Sequence, residues 1–271
     1  MAVSWSTANQ RLDRAARLLN QTGPISVSGP LHAGVDLGTA DVVLMVLDEF
    51  GEPVAAFLQW AEVVRDGVVV DFIGAIDIVR ELLDQAQKRL GRSLTKAATS
   101  FPPGTDARLS TNILEGAGLE VSLVRDEPSC VASLLELDQA AVVDVGGGTT
   151  GTAVVQKGRV VFSDDEPSGG RHLSLAIAGH FGVSFAEAER RKRRPERYGI
   201  MELVTPTLQR ISDIVAGHIQ GRQVKKVILT GGTCCLPGID RVFARELQIP
   251  VQLPSQPLLL TPLAIASLPL A

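Results

Sequence analysis

The residues best equipped for chemistry in this chain lie in two short turns of one type. Asp36-Leu37-Gly38-Thr39 is the first, and Asp144-Val145-Gly146-Gly147-Gly148-Thr149, followed by Thr150, is the second. Gly38 and Gly146 to Gly148 carry no Cβ, so their backbone N–H groups can come close to phosphate oxygens. Thr39, Thr149 and Thr150 add hydroxyl donors. Asp36 and Asp144 stand at strand ends, where a carboxylate can hold a magnesium ion or its waters. A carboxylate beside a polyphosphate needs such a cation, because the two otherwise repel. One Asp-x-Gly-Thr turn by itself reads first as an ordinary hairpin. Two of them, at matching places in a repeated unit, point to the phosphate chain of a nucleotide held between them.

The elements that must carry these turns repeat in order. Ala33 to Val35 is a strand running into the Asp36 turn. Val42–Leu47 and Pro53–Ala61 continue an antiparallel meander across Glu49-Phe50-Gly51-Glu52. Ile76, Val79, Leu82, Leu83, Ala86 and Leu90 fall at helical spacing, which predicts a helix over 72–91 stopped at Gly91. A strand Lys96–Ser100, a helix near 106–117 and a strand Val121–Val124 follow. Asp126-Glu127-Pro128 opens a helix running to about Leu137, with Pro128 in the permissive first turn. From Ala140 the plan starts again. Ala141 to Val143 leads into the Asp144 turn, and Gly151–Gln156 and Arg159–Ser163 form a hairpin across Lys157-Gly158. Helices near 170–180, 184–193 and 199–220 come next. A strand Lys226–Thr230, the turn Gly231-Gly232-Thr233, a helix near 238–247 and a strand Pro250–Leu253 complete the unit. The Asp turns recur about 108 residues apart, so the chain reads as two similar lobes facing each other, divided near residue 139.

Composition excludes several classes. The chain has 271 residues, 45% hydrophobic and 21% charged, with a formal net charge of -4. That suits a globular protein with a sizeable core and gives no electrostatic footprint for a nucleic-acid partner. Cys130, Cys234 and Cys235 make neither a disulfide framework nor a zinc spacing, which predicts a reducing cytoplasm. Cys234 and Cys235 read as small buried packing residues. Residues 1–23 are interrupted by Arg11, Asp13, Arg14 and Arg17, unlike a secretory signal. Leu12, Ala15, Ala16, Leu18 and Leu19 instead mark one face of a short amphipathic helix, either packed on the body or docking a partner. No apolar run reaches membrane-spanning length. The last fourteen residues are apolar but carry Pro257, Pro262 and Pro269, and read as a buried terminal segment.

The two turns resemble the paired phosphate loops of the actin-like ATPases, a superfamily that includes DnaK-type chaperones, MreB, FtsA, PilM and sugar kinases. Arg125-Asp126-Glu127-Pro128, then Ser129-Cys130-Val131-Ala132, is similar to the segment before that superfamily's second phosphate loop. Ala188-Glu189-Arg190-Arg191-Lys192 resembles its ribose- and base-contacting helix. Leu229-Thr230-Gly231-Gly232-Thr233 with Leu236-Pro237-Gly238-Ile239 resembles its adenosine loop. The short length and the run Gly34 to Val43 are similar to the EutJ family, chaperone-like proteins encoded with the enzymes of ethanolamine-utilising microcompartments.

The resemblance implies an α/β, two-lobed, ribonuclease H-like fold with duplicated mixed sheets flanked by helices and a nucleotide cleft between the lobes. It places an N-terminal helix at 1–23, lobe I at 24–139, lobe II at 140–256 and a connecting helix returning to lobe I at 257–271. It implies ATP or ADP with Mg2+ as ligands. Gly38, Thr39, Ala40, Gly146, Gly147, Gly148, Thr149, Thr150, Glu189, Lys192, Arg193, Gly231, Gly232 and Thr233 would contact nucleotide, and Asp36 and Asp144 would serve the metal. Glu127 would orient or deprotonate the attacking water; read without the resemblance it is an acid at a helix start, favoured by the dipole. The run Arg190 to Arg194 likewise reads, in isolation, as a solvated helix face. The implied partner is a client protein, such as ethanolamine ammonia-lyase or another microcompartment protein, and self-association fits the superfamily. Two departures weigh against fast hydrolysis. Gly169-Gly170-Arg171-His172 stands where DnaK-type chaperones carry metal-holding acids, and His172 reads as structural. The segment Thr261 to Ala266 lacks the glycine usual where the lobes cross. A filament-forming relative and a small-molecule kinase are the competing readings.

Overall fold

The description rests on a computed structural model and covers residues 2–61, 64–65 and 68–270. The chain opens with α1 (Trp5–Leu18) and a meander of β1 (His32–Leu37), β2 (Asp41–Leu47) and β3 (Pro53–Trp60). A small hairpin, β4 (Val64–Arg65) with β5 (Val68–Val69), follows, which the residue pattern did not announce. Then come α2 (Phe72–Leu90), β6 (Lys96–Phe101), α3 (Arg108–Gly116), β7 (Glu120–Asp126) and α4 (Glu127–Leu134). The second half contains β8 (Ala140–Val145), β9 (Thr150–Gln156), β10 (Arg159–Glu166), α5 (Gly170–Phe181), α6 (Phe185–Lys192), α7 (Pro195–Tyr198) and α8 (Ile200–Ile219). It closes with β11 (Lys226–Thr230), α9 (Ile239–Leu247), β12 (Val251–Gln252) and α10 (Pro257–Ser267).

The repeat seen in the sequence is a repeat of topology. One five-stranded sheet has the order β3-β2-β1-β6-β7 and the other β10-β9-β8-β11-β12. In each, the first three strands are antiparallel and the last two are parallel to the first. Every residue of β2 and of β8 is buried, as expected of apolar runs covered on both faces. α2 turns Ile76, Val79, Leu82, Leu83, Ala86 and Leu90 inward. Asp71 caps its start by accepting from the Gly74 N–H at 2.8 Å, and Gly91 ends it at φ 60°.

Three apolar clusters hold the molecule together. One lies under α2 and α3 on the first sheet, and one under α5, α8 and α9 on the second. The third lies between the sheets and joins Val43 and Met45 to Val142 and Ile228 through α1, α4 and α10. α10 is buried along its length and crosses β1 closely. A Cβ on Gly34 would sit 2.4 Å from the Ala266 nitrogen, so the strand supplies the glycine that the helix lacks at this crossing. α1 packs on the body: Ala8, Leu12 and Ala15 are buried in the shared cluster. Arg11 also pairs with Glu52 at 3.0 Å and donates to the Phe50 carbonyl at 2.7 Å.

Two boundaries differ from expectation for visible reasons. α4 stops at Leu134 rather than near Leu137, because the Val3 N–H captures the Leu134 carbonyl at 2.7 Å and the Glu136 N–H returns to Val3. β10 runs on past Ser163 to Glu166, since its pairing with β9 continues through Asp165 opposite Gly151. Cys234 is buried as expected, whereas Cys235 is exposed, because the short helical turn Gly232–Cys235 points them in different directions.

Candidate functional site

The two Asp-x-Gly turns meet. β1 ends at Asp36-Leu37, and β2 returns at Asp41, leaving Gly38, Thr39 and Ala40 as the connection. β8 ends at Asp144-Val145, and the loop Gly146 to Thr149 is closed by a Gly146 N–H to Thr149 carbonyl bond of 3.0 Å. A Cβ on Gly147 would lie 3.2 Å from the Ala40 Cβ and 3.5 Å from the Thr39 Cβ. Loops from opposite lobes thus approach within van der Waals distance at the floor of a cleft of about 760 Å3. Cavities of that size suit a small ligand such as a nucleotide.

The second loop is built as a rigid shelf. The N-terminus of α5 rests on it, with the Gly170 and Arg171 N–H groups donating to the Gly146 and Gly147 carbonyls at 2.9 and 2.7 Å. A Cβ at Gly169 would stand 2.7 Å from the Gly146 oxygen, so no other residue fits there. The His172 Nδ1 accepts from the Gly169 N–H at 3.3 Å, a capping contact within the helix start. From the other side, the Thr233 hydroxyl donates to the Gly146 carbonyl at 2.8 Å. Gly231 adopts φ 95°, and a Cβ there would sit 2.3 Å from an Asp144 oxygen. The turn resembling the adenosine loop therefore packs directly on the loop resembling the second phosphate loop.

Acids gather over this floor. Asp36, Glu127 and Asp144 all line the cleft. Glu127 is the first residue of α4, behind Asp126, which caps the helix by accepting from Ser129 at 3.2 Å and also accepts from the Ser163 hydroxyl at 2.8 Å. Burial, then repulsion from Asp144 and Asp41, pushes the Asp36 carboxyl well above its usual range. Burial, then Asp144, Asp36 and Asp165, does the same to Glu127. Burial lifts Asp144 to about 6 against the pull of the Thr261 hydroxyl, which donates to it at 2.5 Å. Asp165 rises to about 7 through burial, opposed by a hydrogen bond from Thr149, and one of its oxygens is buried without a partner. Carboxylates so assembled ask for a cation. Among the described residues no three acids, cysteines or histidines are arranged for direct metal coordination. Asp36 and Asp144 are the cleft carboxylates that could hold a cation through its waters.

On the opposite wall α6 presents Glu189, Lys192 and its C-capping residue Arg193. The Lys192 ammonium is fully engaged, donating to Glu189 at 2.7 Å, to the Ser174 hydroxyl at 2.8 Å and to the Gly170 carbonyl at 3.1 Å. Burial lowers its pKa, opposed by the Glu189 charge. Ser174 in turn donates to Glu189. The arrangement ties α6 to the start of α5. Arg193 lies over the Trp60 ring at 4.2 Å.

Of the residues singled out from the sequence, Gly38, Thr39, Ala40, Gly146, Gly147, Thr149, Gly231, Gly232 and Thr233 share this cleft with the acids and α6. Gly148 and Thr150 do not line it. Thr150 begins β9, and side chains alternate along a strand; its buried hydroxyl donates to the Ser168 carbonyl at 2.6 Å. The structure adds Asp41, Trp60 and Thr261 to the cleft lining, and Asp165 beside it. Asp41, lifted to about 6 mainly by burial, closes over Gly38. Its place in the sequence, one residue past the turn, was the available signal, and the acid run Asp164-Asp165-Glu166 was the signal for Asp165.

Comparisons with known proteins bear on the family and the fold. Residues 130–259 match the family model for type IV pilus assembly protein PilM. The chain is 53% identical over 264 residues to ethanolamine utilization protein EutJ of Escherichia coli (strain K12), covering 97% of this chain and 94% of that protein. The crystal structure of EutJ from Carboxydothermus hydrogenoformans superposes with a TM-score of 0.91 at 44% identity, covering 97% of this chain and 99% of that one. MreB5 of Spiroplasma citri bound to AMPPNP shares the fold, with a TM-score of 0.65 at 16% identity over 88% of this chain and 95% of that one.

Proposed function

The chain belongs to the EutJ family of ethanolamine utilization proteins, and from that membership we propose that it is a nucleotide-dependent, chaperone-like factor. In this reading ATP or ADP binds between the two lobes and sets their angle. A client protein of ethanolamine utilisation, such as ethanolamine ammonia-lyase or a microcompartment component, reads that angle. The observation that carries the proposal is the meeting of Gly147 with Thr39 and Ala40 over a floor of carboxylates. The relative of known structure that carries AMPPNP has the same fold, which supports the nucleotide as ligand.

The residues divide the work as follows. Backbone N–H groups of the Gly38 and Gly147 turns and the Thr39 and Thr149 hydroxyls hold phosphate oxygens. Asp36 and Asp144 would hold Mg2+, which when bound would offset charge on the phosphates. Glu127, the first residue of α4, orients the attacking water and as a carboxylate takes its proton. Glu189 and Arg193 hold the ribose and base, Lys192 fixes Glu189 in place by its ion pair, and Gly231 and Gly232 lie against the adenosine. Turnover is slow, because the α5 start offers His172, already used as a cap, and no acid of its own. The buried apolar face of α1 argues against its use as a membrane anchor.

Thermal unfolding and phosphate release test this. Millimolar Mg-ATP and Mg-ADP should each raise the melting temperature, since a ligand of the folded state stabilises it, and phosphate should appear slowly. No stabilisation by either nucleotide would overturn the proposal. A filament-forming role, favoured by the likeness to MreB5, would show itself as ATP-dependent sedimentation.

A further inference from the structure

Trp60 ends β3 on the first lobe, lines the cleft, and is 51% exposed. Large exposed aromatics at a cleft wall are suited to stacking. What stacks on it comes from the other lobe: the guanidinium of Arg193 lies 4.2 Å from the indole ring. That is a cation–π distance. Asp41, also on the first lobe, attracts the same guanidinium.

The rest of the basic run behaves differently. Arg190 and Arg191 pair with Glu187 on their own helix, and Arg191 also covers Phe181 and Tyr198 of its own lobe. Lys192 is bound to Glu189 and α5. Arg193 leaves the end of α6 and crosses to Trp60; among the described residues it forms no direct ion pair. A guanidinium is planar, so resting one face on an indole holds the other face flat and fixed. The cleft that Trp60 and Arg193 line also has an apolar lining of Leu236, Pro237 and Leu258.

We infer that Trp60 is the first lobe's contribution to the nucleobase site: it holds the Arg193 guanidinium flat, so that a purine base stacks on the opposite face. The inference rests on the nucleotide reading of the cleft and deepens it. Three parallel planes, indole, guanidinium and base, then run from one lobe to the other. The base, and not only the phosphates, thereby stabilises the closed arrangement. Purines gain more than pyrimidines, because the larger ring covers more of the guanidinium.

The chain has two tryptophans, so Trp5→Phe leaves Trp60 as the only indole reporter. In that protein Mg-ADP should change the emission saturably, and Mg-UDP less at equal occupancy. Mg-pyrophosphate should bind without the change. Trp60→Ala should weaken Mg-ADP by roughly tenfold, the scale of a desolvated cation–π contact, and leave Mg-pyrophosphate within about twofold. Trp60→Phe should recover most of the loss. Equal weakening of ADP and pyrophosphate would mark Trp60 as merely structural and overturn the inference, as would unchanged ADP binding in Trp60→Ala. Failure of the unsubstituted protein to bind either ligand would instead remove the nucleotide reading on which the inference stands.

Discussion

Glu127 owes its place to its neighbours. Asp126 fixes the first turn of α4 from one side and Pro128 pre-sets its backbone from the other, so the carboxylate is delivered into the cleft rather than to solvent. With the charge removed and the shape kept, Glu127→Gln should lower ATP turnover by about 100-fold and leave ADP affinity nearly unchanged. A variant that hydrolyses ATP at the unsubstituted rate would remove Glu127 from the mechanism. The raised acids also make a pH prediction. Asp41 and Asp165 titrate at about 6 and about 7 in the folded protein, above the ordinary value of 3.8. A folded state that binds protons more tightly than the unfolded one loses stability as pH rises through that window. Without nucleotide and in EDTA, the melting temperature should therefore be higher at pH 6 than at pH 8, and Asp165→Asn should flatten the difference. Asp36 and Asp144 were legible in the sequence because glycine-rich turns follow them directly. Asp41 and Asp165 were not, because each becomes a cleft residue only through strand pairing: Asp41 opposite Trp60, and Asp165 opposite Gly151.

Elements were more legible than contacts. The helical spacing of α2 and the doubled strand–turn–hairpin unit follow from patterns internal to each segment, and both are present. The early end of α4 depends on Val3, more than a hundred residues away in the chain, and the exposure of Cys235 depends on a short helical turn; no local pattern encodes either. The turn at Gly231 shows how tightly elements constrain the site. Alanine there would combine an unfavourable φ with a collision against Asp144, so Gly231→Ala should destabilise the fold by about 2–3 kcal/mol and weaken nucleotide binding. Equilibrium unfolding in urea measures the first effect, and wild-type stability would contradict the packing described. α1 gives a control away from the cleft. Leu12 is fully buried, and Leu12→Ala should cost about 2–5 kcal/mol without changing the affinity for nucleotide per folded molecule.

At the scale of the whole molecule, two copies of one sheet topology face each other, and α10 ties them by running from the second sheet across β1 of the first. Neither lobe alone makes the cleft: both turns line it, the acids come from both sheets and α4, and Arg193 reaches from one lobe to Trp60 on the other. The central claim is that a nucleotide lies between the turns where Gly147 faces Thr39 and Ala40. Calorimetric titration of Mg-ADP into the unsubstituted protein and into Gly147→Val tests it most directly. Saturable one-to-one binding in the former, lost in the latter while far-UV circular dichroism shows the variant still folded, is the result expected. No binding at millimolar nucleotide, or equal binding in both proteins, would contradict the account.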